Sequence, residues 1–401
     1  MNNDLEILCG TLEGTPRPLK PFDARVVDFL SDWGAALMKT PAARPYPDVI
    51  TFAFFLRRAH LQALAAPYGE ELTHRVGLGR GFHIAPGNVA MNFAYSLVAA
   101  LLAGNACLVK APSRDFPQVG LTVAAAATLL NGEYADLAPY VCVARYPREN
   151  QTLTEKFSGE CDVRIIWGGD ETIRRVRQAP LLPHAFDITF PDRWSLLMAG
   201  AEGVLSLSDE EMARVAAGFY NDTYLTDQNA CTSPRVVYWL GAKEAVAAAK
   251  ERFWAAVHEN ASRRYTVPGV MAVDKLTAAC HAALAIPGSM VEKARDSLIC
   301  RLSIPAWTKE AEGGRCAGGF FLEYASETMD ALRDMDSRRL QTVTCVGVDV
   351  ESVRGFVLQN GLKGIDRVVP LGHSMDFSLF WDGRDLIRSM SRLIGASQGG
   401  M

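Results

Sequence analysis

Residues 80–110 read RGFHIAPGNVAMNFAYSLVAALLAGNACLVK, with no Asp, Glu, Lys or Arg between Arg80 and Lys110. A charge-free run longer than about 18 residues is ordinarily a candidate membrane span. Here Pro86, Gly87 and Asn88, then Asn92, then Gly104 and Asn105 interrupt it. Gly/Asn clusters of this kind punctuate turns. The pattern predicts a strand over Phe82–Ala85, a turn at Gly87–Asn88, a helix from Ala90 to Ala103, a stop at Gly104–Asn105 and a strand over Ala106–Lys110. Strands this apolar belong in a parallel sheet covered on both faces. The segment reads as one strand–helix–strand unit of a globular α/β domain, with no membrane span.

The alternation continues outward. A helix is expected over Val119–Leu130, a strand over Val141–Ala144, a helix over Asn150–Phe157 and a strand over Val163–Trp167. Gly168 and Gly169 follow, then a helix over Glu171–Gln178 with acid at its start and arginines towards its end, the polarity that suits the helix dipole. Asp187–Phe190 and Ser195–Ala199 read as further strands. Repeated strand–helix alternation predicts a doubly wound α/β domain over roughly residues 60–200. A second α/β unit, about 205–370, starts with the helix Ser208–Phe219 and the strand Pro234–Leu240. It continues through helical stretches at Glu244–Glu259, Lys275–Ala285 and Gly288–Leu298, the strand Thr342–Val348, the helix Val350–Asn360 and the strand Val368–Pro370. The expected divisions are 1–203, 204–370 and a C-terminal segment 371–401, which packs back on the first domain or serves oligomerisation.

Composition sets the outer limits. With 401 residues the chain exceeds the ~250–300 at which a single core stops growing, so two domains are expected. A net charge of −4 without a basic block disfavours nucleic-acid or anionic-membrane binding. Nine cysteines with no C-x-x-C give no support to a metal site. The stretch Met1–Glu13 has no apolar core and reads as no signal peptide, so a reduced, cytoplasmic protein is expected. Most of the thiols should be small buried hydrophobes.

Cys231 differs. Residues 220–235 read YNDTYLTDQNACTSPR, a polar stretch that leads into an apolar strand. A thiol on a polar loop before a strand is more often exposed and reactive, although a surface thiol at a domain junction has the same pattern.

Five segments carry a family resemblance: His83–Val89 (HIAPGNV), Leu101–Asp115 (LLAGNACLVKAPSRD), Ile165–Ile173 (IIWGGDETI), Asp227–Arg235 (DQNACTSPR) and Gly364–Gly372 (GIDRVVPLG), the last followed by Trp381–Gly383 (WDG). In this order over some three-quarters of the chain, they resemble the aldehyde dehydrogenase superfamily and, within it, the LuxC-type acyl-CoA reductases of bacterial luminescence. The resemblance implies two doubly wound, Rossmann-type α/β domains with an active-site cleft between them, the first holding a nicotinamide cofactor and the second a nucleophilic cysteine. It implies reduction of an acyl-CoA or other acyl thioester to the aldehyde, with long-chain fatty acyl as the default, through an acyl-enzyme on Cys231. Such covalent catalysis splits a difficult reduction into two easier steps.

Carried over residue by residue, Asn88 matches the oxyanion asparagine, Lys110 the cofactor lysine, and Gly168 and Gly169 the loop close to the cofactor. Ser113 and Arg114 continue the Lys110 stretch. Many NAD-linked members have a glutamate at about the position of Arg114; an arginine there suits a 2′-phosphate, so the resemblance implies NADPH rather than NADH. Gln341 lies where the family places a nicotinamide-ribose contact, although the chain departs from that pattern. Asp227 is a candidate for proton transfer or a loop cap. The stretch 189–195 (TFPDRWS) carries no glutamate like the one that activates water in hydrolytic members, and Asp192 is off register. That absence implies acyl transfer and reduction rather than oxidation to the acid. Arg367 and Trp381–Gly383 read as structural, as does His83. The family implies homo-oligomers and, in the luminescence complex, an acyl-protein synthetase partner. Two other classes remain open: a cysteine acyltransferase or thioesterase without hydride transfer, and a non-catalytic scaffold for an acyl-activating partner.

Overall fold

The computed structural model describes residues 5–14, 16–314 and 316–395. They fall into two units, Met1–Pro191 with Phe377–Met401, and Asp192–Asp376.

The first unit contains β1 (Glu6–Gly10), β2 (Arg75–Gly77), β3 (Arg80–Ile84), β4 (Ala106–Lys110), β5 (Val141–Arg145), β6 (Val163–Trp167) and β7 (Phe186–Phe190). All but β2 form one sheet in the order β1-β5-β4-β3-β6-β7. Only β1 runs antiparallel to its neighbour; the others are parallel. From β3 the chain winds outward through β4 and β5, then returns to the other side of β3 for β6 and β7. The winding reverses between β3 and β6, and open α/β sheets bind ligands at the carboxyl ends of the strands flanking such a reversal.

The charge-free segment has the architecture its turns predict. Its helix is Asn92–Leu102, with Phe93, Ala94 and everything from Ser96 onward buried. Each fully buried Val, Leu or Phe contributes roughly 1.5–3 kcal/mol, so this helix is held by burial on nearly every face. Gly104 ends it with φ +90°, and a Cβ there would stand 2.2 Å from the Leu19 carbonyl oxygen. Buried Asn105 is fully used: its oxygen accepts from the Leu78 and Gly79 N–H groups at 2.8 and 3.1 Å, and its amide donates to the Ala100 and Met390 carbonyls at 3.2 and 2.8 Å. No helix in the described residues is long and apolar enough to cross a membrane.

The sequence pattern assigns no element before Phe82, yet three helices lie there: Ala24–Lys39, Pro47–Phe55 and Arg58–Ala65. They bury Phe29, Leu30, Trp33 and Phe52 against the first core, and the Trp33 indole donates to the Thr122 carbonyl at 2.9 Å. The C-terminal segment joins the same core. Phe377 packs on Tyr95 with ring centroids 4.7 Å apart and on Trp381 at 5.3 Å. Trp381–Gly383 forms a hairpin between Phe380–Trp381 and Arg384–Asp385, with left-handed Asp382 and Gly383 at its turn.

The second unit has β8 (Trp194–Gly200), β9 (Pro234–Leu240), β10 (Met290–Val291), β11 (Cys300–Ser303), β12 (Phe320–Ser326), β13 (Leu340–Val346) and β14 (Arg367–Pro370). They form a sheet in the order β10-β11-β12-β9-β8-β13-β14. Only β10 is antiparallel. The first unit thus ends at Pro191 rather than at residue 203, because β8 pairs with β9 and β13 of the second sheet. The second ends at Asp376 rather than at residue 370, since Arg367 donates to the Ser374 and Asp376 carbonyls, both at 3.1 Å. The helical stretch expected over Gly288–Leu298 is absent. Gly288 turns the chain with φ +77°, and Met290–Val291 pairs as an edge strand with β11.

Candidate active site

Cys231 lies on the loop between the helix Asp209–Asp222 and β9. A Ser208–Glu211 capping box starts that helix. After its end the chain makes a short turn at Tyr224–Thr226 and then places Asp227 and Gln228 in the left-handed region, at φ 51° and 59°. Two consecutive non-glycine residues there persist only where surroundings over-determine them. Gln228 supplies much of that determination. Its amide donates to the Pro234 and Phe320 carbonyls at 2.9 and 3.0 Å, and its oxygen accepts from the Gly319 and Phe320 N–H groups at 3.0 and 3.2 Å. The buried Ser195 hydroxyl donates to the Cys231 carbonyl at 2.7 Å and accepts from the Thr342 N–H at 3.2 Å. The Cys231 side chain itself is half-buried.

Acids flank these segments in sequence: Asp222 and Asp227 before Cys231, and Asp192 before Ser195. Asp227 is exposed and accepts from the Tyr265 hydroxyl at 2.6 Å. Asp222 is fully buried and accepts from the Gly372 and Ser374 N–H groups at 2.7 and 3.0 Å. Burial pushes its carboxyl up to about 6, although those N–H groups pull it down. Asp192 pairs with Arg339 at 3.6 Å, so the only acid in the stretch 189–195 is engaged in an ion pair.

The other sequence-predicted residues, apart from Gln341, gather at the carboxyl edge of the first sheet. β3 runs into Pro86, Gly87 and the exposed turn residue Asn88. Lys110 closes β4, half-buried, with its ammonium 4.0 Å from the centroid of the Tyr146 ring. Burial lowers its pKa to about 8, helped by the positive charges of Arg175 and Arg148 and opposed by Glu149. No carboxylate stands within ion-pair distance of it among the described residues. Ser113 and Arg114 follow on an exposed loop. A Cβ built on Gly87 would lie 3.8 Å from the Ser113 hydroxyl, so the loops after β3 and β4 are neighbours. Gly168 closes tightly on Thr172, whereas Gly169 is exposed and would meet nothing within 4 Å. This edge fits a dinucleotide: an ammonium without a carboxylate, open backbone at Gly169, and two strands flanking the winding reversal.

Gln341 does not join either group at a surface. It is fully buried in β13, beside the Thr342 that bonds Ser195, so no ligand reaches its side chain in this arrangement. His83 is also fully buried. Its Nδ1 lies 2.7 Å from the Ser96 hydroxyl, which also accepts from the Trp167 indole at 2.9 Å. Burial alone lowers its pKa to about 3, which makes it a neutral core residue. Among the other thiols, Cys9, Cys107, Cys142, Cys161 and Cys345 are buried, Cys300 and Cys316 are half-buried and Cys280 is exposed. Sequence reasoning did not find Ser195, Tyr146 or Tyr265, whose roles come from residues distant in the chain.

Comparison with known proteins gives a consistent result. The long-chain acyl-protein thioester reductase of Aliivibrio fischeri is 27% identical over 213 residues, which are 53% of this chain and 41% of that protein. The Vibrio harveyi protein of the same name is 25% identical over 191 residues, 47% of this chain and 38% of its own length. The match thus spans about two-fifths of these relatives. Among solved structures, Escherichia coli lactaldehyde dehydrogenase superposes with a TM-score of 0.61 at 11% identity, over 93% of this chain and 86% of its own. The NADP-dependent glyceraldehyde-3-phosphate dehydrogenase of Bacillus halodurans C-125 gives 0.58 at 12% identity, over 92% and 85%. At these identities the likeness establishes an aldehyde-dehydrogenase-like fold. The family model described as acyl-CoA reductase (LuxC) matches residues 54–274, more than half of the sequence, and the chain belongs to that family.

Proposed function

We propose that the protein reduces an acyl thioester, with an acyl-CoA as the default donor and long-chain fatty acyl as the default chain, to the aldehyde through an acyl-enzyme on Cys231. The observation that carries this reading is the setting of Cys231: a half-buried thiol on a polar loop whose backbone is pinned by Gln228 and Ser195. Most of the chain's other thiols are buried in cores, where desolvation raises their pKa.

In the first step the Cys231 thiolate attacks the thioester carbonyl, and the donor thiol leaves. Negative charge develops on the carbonyl oxygen, and the Asn88 amide and the Cys231 backbone N–H are assigned to it as donors. Lys110, Ser113, Arg114 and Gly169 would hold the cofactor, with Arg114, exposed and above the Phe116 ring at 5.1 Å, assigned to a 2′-phosphate. Bound NADPH would supply the hydride that releases the acyl group as the aldehyde. The stretch 189–195 has no glutamate, and its one carboxylate, Asp192, pairs with Arg339, which supports reduction over hydrolysis. Asp227 is assigned to proton transfer, and the Tyr265 hydroxyl donates to it. In this reading the first unit holds the nicotinamide and the second carries the thiol. An acyl-protein synthetase as donor of the acyl group and a homo-oligomeric assembly belong to the same proposal.

The test is intact mass after incubation with acyl-CoAs of several chain lengths, then with NADPH. An acyl adduct mapped to Cys231 that NADPH removes as aldehyde is the expected result. An adduct released only to water or to thiols would favour a thioesterase or acyltransferase, and parent-rate NADPH consumption by Cys231→Ala would refute the mechanism.

A further inference from the structure

We infer that Gln228 is a positioning residue for Cys231, holding the nucleophile loop in a strained conformation that the loop would otherwise leave. The inference rests on the reading of Cys231 as nucleophile. Gln228 stands three residues before the thiol and is 8% exposed. Its amide has two donor hydrogens and its oxygen two acceptor sites, and four backbone partners take all of them. Those partners lie on two segments. One is Pro234, at the start of β9 and on the far side of the thiol. The other is Gly319–Phe320, at the start of β12.

The geometry makes this bracket specific to the loop. With one bond at Pro234 and its own backbone at 228, the side chain fixes both ends of the segment that contains Cys231. The second anchor is itself rigid. Buried Lys275 donates to the Leu298 and Gly318 carbonyls at 3.3 and 2.6 Å, and the Gly318 N–H donates to the Asp227 carbonyl at 3.0 Å. Gly318 and Gly319 both have positive φ, and a Cβ at Gly319 would stand 2.3 Å from the Leu298 carbonyl oxygen, so that segment packs closely against its neighbours. The left-handed φ values at Asp227 and Gln228 fall at the near end of the bracketed segment. Without the Gln228 bonds these residues relax toward ordinary backbone, and the thiol three residues on moves with them.

The experiment compares the full-length protein with Gln228→Ala, the isosteric Gln228→Glu and Cys231→Ala. The glutamate keeps an acceptor for the Gly319 and Phe320 N–H groups but faces the Pro234 and Phe320 carbonyls without a donor. Steady-state kinetics are measured with an acyl-CoA and NADPH, together with the alkylation rates of Cys231 and of exposed Cys280 by iodoacetamide. Both Gln228 variants are expected to lower kcat about 100-fold, the cost of a misplacement of order 1 Å, with both KM values within about threefold. Cys231 alkylation falls in parallel while Cys280 alkylation holds, although the melting temperature drops because buried backbone groups lose their partner. The inference is overturned if both variants keep kcat and Cys231 alkylation within about twofold of the parent. It is also overturned if Cys280 alkylation changes by as large a factor as Cys231 alkylation does, since Gln228 would then serve the fold as a whole. If instead Cys231→Ala retains the parent rate, the nucleophile reading fails, whatever the Gln228 variants do.

Discussion

Lys110 gives the cofactor half of the site a pH signature. Its ammonium is half-buried over Tyr146, and its pKa is lowered from 10.5 to about 8, by burial first and by Arg175 and Arg148 after it. If the ammonium holds the dinucleotide, affinity follows the charged fraction. By linkage that fraction is roughly nine-tenths at pH 7 and roughly one-tenth at pH 9. The dissociation constant for NADPH should therefore rise about tenfold between those values, the charged form being favoured by the bound anion. A lysine at its ordinary value would stay almost fully charged over this range and give no change. The assay is a fluorescence titration with NADPH at several pH values and constant ionic strength, which reads binding without the chemistry of Cys231. Lys110→Arg should bind with a flat profile, because the guanidinium keeps its charge. Lys110→Ala should bind weakly at every pH. A parent affinity constant within about twofold from pH 7 to pH 9 would refute the reasoning, as would an unchanged rise in Lys110→Arg, which would place the titrating group elsewhere.

Asn88→Ala should lower kcat about 10²–10³-fold while leaving acylation of Cys231 detectable by mass, the loss expected for one oxyanion donor. Arg114→Glu should reverse the preference between NADPH and NADH, read as the ratio of kcat/KM values; an unchanged ratio would remove the 2′-phosphate assignment. His83 is buried neutral, with a folded pKa of about 3 against an ordinary 6.5. As pH falls below about 6.5 the unfolded chain takes up the proton first, so this contribution is present above that pH and is lost down to about pH 3. The loss should be about 1.4 kcal/mol per pH unit, or about 2 kcal/mol at pH 5. Buried Asp222, raised to about 6, has the opposite sign: its stabilising effect is complete below its ordinary 3.8 and is lost as pH rises through 6. The His83 effect is therefore measured as the difference between parent and His83→Asn in thermal unfolding at pH 7 and pH 5. Equal shifts in the two proteins would contradict it.

Much of the fold was legible because its signals are local. The strands Ala106–Lys110, Val163–Trp167 and Pro234–Leu240 and the helix Val350–Asn360 have the observed bounds, each set by an apolar run between turn residues. The Gly104–Asn105 stop is legible from residue type, since glycine admits the positive φ found there; the close Leu19 carbonyl that also demands a glycine is a tertiary contact. The three helices before residue 66 were not assigned. What could not be read is their packing partner: the first helix does carry a signal, Asp23 as a cap and Val26, Phe29, Leu30, Trp33 and Leu37 at helical spacing, but nothing along the chain says that these faces meet the sheet and the C-terminal segment. The edge strand β10 was read as helix because two residues carry too little pattern to oppose a helical neighbour. The membership of β8 was equally hidden, because a strand's sheet is set by its pairing and not by its composition.

The sequence by itself determined the class, the alternation and the residues worth asking about. Cys231, Asn88, Lys110 and Arg114 are named by residue type, neighbours and family likeness, all of which lie along the chain. Tertiary structure alone decided what each can do. It buried Gln341 beyond reach of a ligand and made His83 a neutral core residue. It set an ammonium over Tyr146 and tied Asp192 to Arg339. It also made Gln228 and Ser195, one near the thiol in sequence and one 36 residues away, into supports of a single loop. The reason is physical. Burial, charge and hydrogen-bond partners depend on which distant segments meet, and in this chain the meeting is arranged by sheet pairing over tens of residues.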